Sequence, residues 1–272
     1  TLYGVELDRM SAKIAGYLYP EANIQNIGFE RTNYPDGYFD VAIGNVPFGD
    51  YRVNDPVYNS HGFLIHDYFF AKTLDKLRAG GVAAYITTKG TMDKESTKVR
   101  EFLFKKAELL GAIRLPNTAF KNAGTKVTAD ILFLQKREKE IENPEWIAVT
   151  EDAQGFRINS YFVQHPEMIL GTMQEISGPY GMETTCVEKE GVPLGERLRA
   201  AISHIIGHIP ERVEEERAEF RYGEEQPTDA PDASEVRMYS YVLSDTGEVY
   251  YKNESGLEQK ETAKTAKARI TG

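Results

Sequence analysis

What this chain lacks narrows its possible roles. Its 272 residues include one cysteine, Cys186. That excludes a disulfide framework within the chain and suits a reducing compartment, so a cytoplasmic protein is expected. No apolar run approaches the length of a membrane span, and no signal peptide is visible. Metal-binding spacings are scarce. His61 and His66 are five residues apart, which is wrong for two ligands on one helix face. His204 and His208 have the right spacing, but no cysteine or third histidine is near them, so no metal site is expected. Cys186 has no histidine beside it and reads as a small packing side chain. No internal repeat is evident. Positive charge is also short, with a net charge of −10. The deficit is uneven: residues 1–140 carry 19 basic and 17 acidic groups, and the remainder 13 and 25. The first half is therefore near neutral, without the basic footprint that neutralises nucleic-acid phosphates.

What is present is most concentrated at Asn45-Val46-Pro47-Phe48-Gly49, directly after the apolar run Phe39 to Gly44. A buried strand ends there. In open α/β sheets, ligands bind outside the carboxyl ends of the strands. The Asn45 side-chain oxygen and the Val46 carbonyl can accept hydrogen bonds from an amino group, and the Phe48 ring can stack on a planar base. The same five residues also describe a plain strand followed by a Pro-bearing turn.

The flanking segments set this motif in an α/β pattern. Tyr3 to Asp8 reads as a short strand ending in acid. A helix follows, with Asp8 or Ser11 as N-cap and Met10, Ile14 and Leu18 on one face, stopped by Pro20. Asn23 to Phe29 reads as a second strand, ending beside Glu30. An acidic side chain at a strand end, such as Glu6, can accept hydrogen bonds from both hydroxyls of a ribose. Downstream, His66 to Leu77 reads as a helix ended by Gly80-Gly81. Val82 to Thr87 reads as a strand and Lys98 to Glu108 as a helix. Leu110 to Leu115 and Ile131 to Leu134 are two further strands. The polar loop between them has no room for a crossover helix, which predicts an antiparallel pair.

Together these segments resemble the amino-group methyltransferases with an Asn-Pro-Pro-Tyr/Phe motif, especially the adenine-N6 DNA methyltransferases. The resemblance covers residues 1 to about 137. It implies a Rossmann-like class I methyltransferase sheet with a terminal antiparallel hairpin, and S-adenosylmethionine as cofactor. It gives Asn45, Val46, Pro47 and Phe48 catalytic roles, with Val46 standing where the family has its first Pro. It assigns Glu6 to the cofactor ribose and Phe29 and Glu30 to its adenine, and it counts Leu7 and Asn45 among the cofactor-binding residues as well. Here the aromatic precedes the acid at 29–30, the reverse of the usual family order. The runs Gly44 to Gly49, His66 to Phe70 and Arg114 to Phe120 narrow the match. So do Ile158 to Phe162 and His165 to Met168. They look like the methylase part of very large methyltransferase–helicase proteins carried on bacterial mobile elements, relatives of type I modification subunits. The resemblance therefore implies double-stranded DNA as a partner, and a helicase or target-recognition region in the same parent polypeptide. The loop 116–129, with Lys121 and Lys126, is a candidate for DNA backbone contact and equally reads as a solvated hairpin loop. The same motif also occurs in enzymes that methylate a protein glutamine or an RNA base, and an inactive scaffold is a further alternative.

The family's glycine-rich loop and first strand should precede Tyr3, and residue 1 is Thr. The expectation is an internal piece of a longer protein. Two strands on one side and four on the other would then face a gap, and the chain alone would be inactive. Beyond residue 137 the chain reads as a smaller α+β region. Residues 138–210 form an accessory spacer, with short strands near 145–149 and 156–158. A helix follows at Gly195 to Ile206, with Leu198, Ala201, Ile202 and Ile205 inward. Residues 211–236 form an acidic linker containing Pro227 and Pro231. Residues 237–272 form a β-hairpin through Ser244-Asp245-Thr246-Gly247 and the start of a further domain.

Overall fold

The computed structural model describes residues 1–178, 181–211, 240–243, 249–253 and 256–261. The chain divides into two compact units, Thr1–Arg212 and Val213–Gly272.

The first unit opens with β1 (Tyr3–Val5), α1 (Arg9–Leu18) and β2 (Asn23–Gln25), the two strands pairing in parallel. Asp8 caps α1 by accepting the Ser11 N–H at 2.8 Å, satisfying a donor that the helix leaves free. The expected apolar face of α1 is present in sequence, yet Met10, Ile14 and Leu18 are exposed and only Ala12 is buried. Amphipathic periodicity marks a face able to pack; here no described residue covers it. β2 is also shorter than its sequence suggests, because Phe29–Arg31 turn into a 3-10 helix.

β3 (Phe39–Asn45), α2 (Ile65–Lys76) and β4 (Leu77–Thr88) form a parallel strand–helix–strand unit. After β4 come the short α3 (Gly90–Asp93), then α4 (Lys98–Lys106), β5 (Ala107–Leu115) and β6 (Ala129–Lys136). The sheet order is β3-β4-β6-β5, with β6 antiparallel to both neighbours, as the short loop between β5 and β6 predicts. The core is continuous across it: Phe70, Leu74, Leu103, Ile113, Leu132 and Leu134 have almost no exposed surface.

Gly80-Gly81 do not end α2, which stops at Lys76; they lie inside β4. The register against β3 slips there, from Phe39↔Leu77 to Val41↔Val82, so β4 bulges. A Cβ at Gly81 would sit 3.0–3.1 Å from the carbonyl oxygens of Arg78, Asp40 and Phe39, so close backbone approach is what requires glycine.

The four-stranded sheet and the β1–β2 pair do not join, and no described strand lies between β1 and β3. The rings of Tyr3 and Phe39 pack edge to face at 5.3 Å, so the two strands begin side by side. Tyr3 also shares a 2.8 Å hydrogen bond with Tyr38, which pushes its phenol up to about 12.

Residues after β6 return to the same core. β7 (Val149–Glu151) pairs antiparallel with β8 (Arg157–Asn159), and α5 (Ser160–Gln164) follows. Ile158, Phe162, Met168 and Leu170 pack with the sheet's apolar residues. Two buried arginines tie this layer down. Arg100 donates to the carbonyls of Ile147, Thr91 and Lys94. Arg114 makes a two-pronged pair with Asp130 at 2.8 and 2.9 Å, and an ion pair with Asp93 at 2.8 Å. Its guanidinium lies 4.2 Å over the Phe162 ring. Burial alone would pull its pKa down, but the two carboxylates outweigh burial and hold it charged. Next comes a hairpin absent from the sequence reading, β9 (Gly171–Gly178) and β10 (Gly181–Glu188), then α6 (Leu194–Ile202). In α6 Ala201 is buried and Leu198 packs on the core, but Ile202 is exposed rather than inward.

In the second unit β11 (Tyr241–Leu243), β12 (Val249–Asn253) and β13 (Gly256–Glu261) form an antiparallel sheet. The first two are the expected hairpin, and the third was not foreseen. The acidic linker after Glu211 and the residues after Glu261 lie outside the described residues. Among the described residues no helix is long and apolar enough to cross a membrane.

Candidate active site

The motif at 45–49 lies where the strand pattern placed it, at the carboxyl end of β3. Asn45 is the last strand residue, paired with Ile86, and the Val46 N–H extends the ladder by one bond to the Ile86 carbonyl at 3.1 Å. Alternation then separates the side chains. Val46 turns into the core and is buried, whereas Asn45 is exposed and its carboxamide has no protein partner among the described residues. Pro47 is half-buried. Phe48 is 37% exposed, and its ring stacks on no other described aromatic residue. An amide, a carbonyl beside a rigid proline and a free ring thus end one strand, and the backbone carrying them is pinned from below.

The long loop after the motif is held on α2. The Ile65 N–H donates to the Tyr51 carbonyl at 2.9 Å. Asp55 accepts from Tyr68 at 2.8 Å and from Lys72 at 3.1 Å, and Tyr58 donates to Asp75 at 2.7 Å. Burial would raise the Asp55 carboxyl, but the bonds from Tyr68 and Lys72 prevail and hold it below the usual carboxylate range. His66, at the start of α2, is also buried, with neither ring nitrogen hydrogen-bonded. Its Nε2 lies 3.5 Å from Asp67, whose other oxygen lies 3.6 Å from Lys94. Burial lowers the His66 pKa, so the ring is neutral. No spacing rule reveals this group, because Lys94 reaches it from a different connection.

Glu6 follows β1 and is half-buried. One carboxylate oxygen accepts the Asp8 N–H at 2.8 Å, and the other has no protein partner among the described residues. Leu7 beside it is exposed. The Asn26 side chain donates to the carbonyls of Glu6 and Leu7, holding the ends of β1 and β2 together. The Glu30 carboxylate folds back over Gly28, where a Cβ would stand 2.2–2.5 Å from it. The Phe29 ring packs on Phe69 at 4.9 Å, with the Lys72 ammonium 5.2 Å from its centroid. One Glu6 oxygen and one Glu30 oxygen are thus left to accept from donors, the other Glu30 oxygen lying 3.7 Å from Arg31. Lys121 and Lys126 are exposed in the loop between β5 and β6, on the same edge of the sheet as Asn45. Among the described residues no cluster of ligating side chains could hold a metal ion.

Over 142 residues the chain is 33% identical to "Defense against restriction protein B" of Escherichia phage P1; the match covers 50% of this chain and 6% of that protein's length. Among solved structures it is similar to a protein assigned as a class I S-adenosylmethionine-dependent methyltransferase from Listeria monocytogenes. That likeness has 21% identity, covers 54% of this chain and 47% of the other, and has a TM-score of 0.43. It is also similar to the M protein of the type I restriction enzyme EcoKI, at 20% identity over 50% of this chain and 31% of the other, with a TM-score of 0.40. The family model for N-6 DNA methylases matches residues 2–169, well over half of the sequence, and the chain therefore belongs to the N-6 DNA methylase family.

Proposed function

We propose that this chain is the methyl-transferring part of a larger polypeptide that methylates the exocyclic amino group of adenine in double-stranded DNA. The observation that carries the reading is the end of β3: an exposed Asn45 amide and a Phe48 ring that have no side-chain partner among the described residues, on a backbone pinned to β4. S-adenosylmethionine, when bound, supplies an electrophilic methyl group. Glu6 accepts hydrogen bonds from its ribose, beside Leu7. Glu30, with the Phe29 backbone, faces its adenine. Extruding the target base costs a few kcal/mol, which stacking on Phe48 helps offset. The Asn45 oxygen and the Val46 carbonyl accept hydrogen bonds from the two amino hydrogens. They favour a tetrahedral nitrogen, release its lone pair from the ring and stabilise its developing positive charge, so no strong base is needed. As the N–CH3 bond forms the S–CH3 bond breaks, the neutral thioether leaves, and the surplus amino proton then passes to solvent. Pro47 keeps the turn rigid. Lys121 and Lys126 contact the DNA backbone. Most phosphate neutralisation comes from a helicase or target-recognition region of the same cytoplasmic polypeptide.

The test is methyl incorporation into DNA by the intact polypeptide. Asn45→Ala should abolish methylation of adenine while leaving cofactor affinity within a few-fold. Glu6→Ala should do the reverse, weakening the cofactor by about 1–3 kcal/mol through lost charge-assisted hydrogen bonds. Wild-type methylation by Asn45→Ala sinks the assignment.

A further inference from the structure

The hairpin β9–β10 lies beyond the residues matched by the family model, and it crosses the functional edge of the sheet. Leu115 and Thr88 both pair with Ala129, and Asn45 pairs with Ile86, so the ends of β5, β4 and β3 share one edge with the start of β6. From its base, β10 passes these ends in order. Glu188 accepts from Thr118, just after β5, at 2.8 Å. The Cys186 carbonyl accepts the Asn117 N–H at 2.7 Å, and the Cys186 N–H donates to Thr128, just before β6, at 2.9 Å. Thr184 then accepts from Lys89, just after β4, through both its carbonyl and its hydroxyl, the latter at 2.9 Å. The next strand in the sheet is β3, with Asn45 and Phe48 at its end. Neighbouring strands are about 4.8 Å apart, and two residues of β10 advance about 6.8 Å on one face. The residue two before Thr184, on the same face, is Met182. It is 66% exposed, an apolar side chain on the part of β10 that follows the contact with the end of β4.

We propose that β9–β10 forms the second wall of the substrate cleft, with Met182 opposing Phe48 across an extruded purine. The inference rests on the base-capture reading above and adds the residue that closes the other face of the base. A thioether side chain suits this place, since it is flexible, polarisable and adapts to an aromatic surface. The hairpin is acidic, with Glu175 and Glu183, which argues against a phosphate contact.

The test titrates the chain with a single-stranded oligonucleotide carrying 2-aminopurine and follows its fluorescence. Phe48→Ala should remove the quenching. Met182→Ala should weaken apparent affinity by about 5- to 20-fold while the quenching at saturation persists, and Met182→Leu should recover most of it. An unchanged melting temperature shows that Met182→Ala folds. Affinity unchanged in Met182→Ala, with Phe48→Ala still defective, overturns the second wall and leaves base capture standing. No quenching by wild type, or no effect of Phe48→Ala, overturns both. Placement is read separately with Phe48→Cys plus Met182→Cys and a short bifunctional maleimide. The buried Cys186 thiol, pushed up to about 12 by burial, stays inert. Failure to cross-link overturns the proposal.

Discussion

The two sides of the sheet are built from similar sequence and end up in opposite environments. β4, β6 and β5 are covered by helices and by the layer after residue 146, and residues such as Ala83, Ala112, Ile113 and Leu132 have no exposed surface. β3 is just as rich in branched side chains, but among the described residues no strand pairs with its outer edge, Ile43 is 76% exposed and Val41 is half exposed. Across from it, α1 turns Met10, Ile14 and Leu18 to solvent. Strand propensity measures fitness for a half-buried surface, and it does not supply the surface that does the burying. The covered side carries stability, whereas the open side, with Asn45 and Glu6 at its ends, carries the candidate chemistry.

Substitutions on the two sides should therefore separate sharply. The largest effect is expected at Arg114. Arg114→Met removes a fully buried cation and leaves Asp130 and Asp93 unpaired, which should cost about 3–5 kcal/mol in urea unfolding. A loss below about 1 kcal/mol would show that water reaches the two carboxylates. Gly81→Ala comes next. Its Cβ meets three backbone oxygens that cannot give way cheaply, and a loss of about 1–3 kcal/mol is expected from the same measurement.

The third prediction concerns acid. His66 is neutral in the fold because burial lowers its pKa, and Asp67, Lys94 and Asp50 surround it. The unfolded chain binds that proton more readily. Stability from this residue is therefore present above the ordinary histidine pKa of about 6.5 and is lost as pH falls below it. Unfolding at pH 7.5 and 5.5 should show a smaller acid loss for His66→Asn than for wild type. Equal losses would mean that His66 is protonated in the fold. The smallest effect is expected on the open side. Val41→Lys and Ile43→Lys should change stability by no more than about 0.5 kcal/mol. They should also reduce self-association measured by light scattering, because charge on an exposed edge discourages strand pairing. A large destabilisation there would mean that the edge is covered in solution.

Much of the fold was legible because its signals are local. Alternation and helical spacing located β3, α2, α4, β5 and β6. The short loop between β5 and β6 predicted their antiparallel pairing, and Asp8 marked the start of α1. The misreadings came where a residue serves a distant neighbour. Gly80-Gly81 looked like a helix end because glycine favours a left-handed cap, yet the carbonyls of Phe39 and Asp40 decide what fits there. Phe29 looked like the last residue of a strand, and the chain turns there into a 3-10 helix whose Phe29 ring packs on Phe69.

The sequence by itself determined the chemistry available at the end of β3. The order Asn, carbonyl, Pro, ring is covalent, and a strand that stops at Asn45 needs no distant contact to present it. Only the tertiary structure decided what stands around that end. Lys89 meets Thr184 across 95 positions, Arg114 joins Asp93 to Asp130, and β9–β10 crosses the sheet edge. Such pairings depend on chain reversals and on which surfaces are left to bury. Their free energy arises only after the sheet has formed, so no window of neighbouring residues contains it.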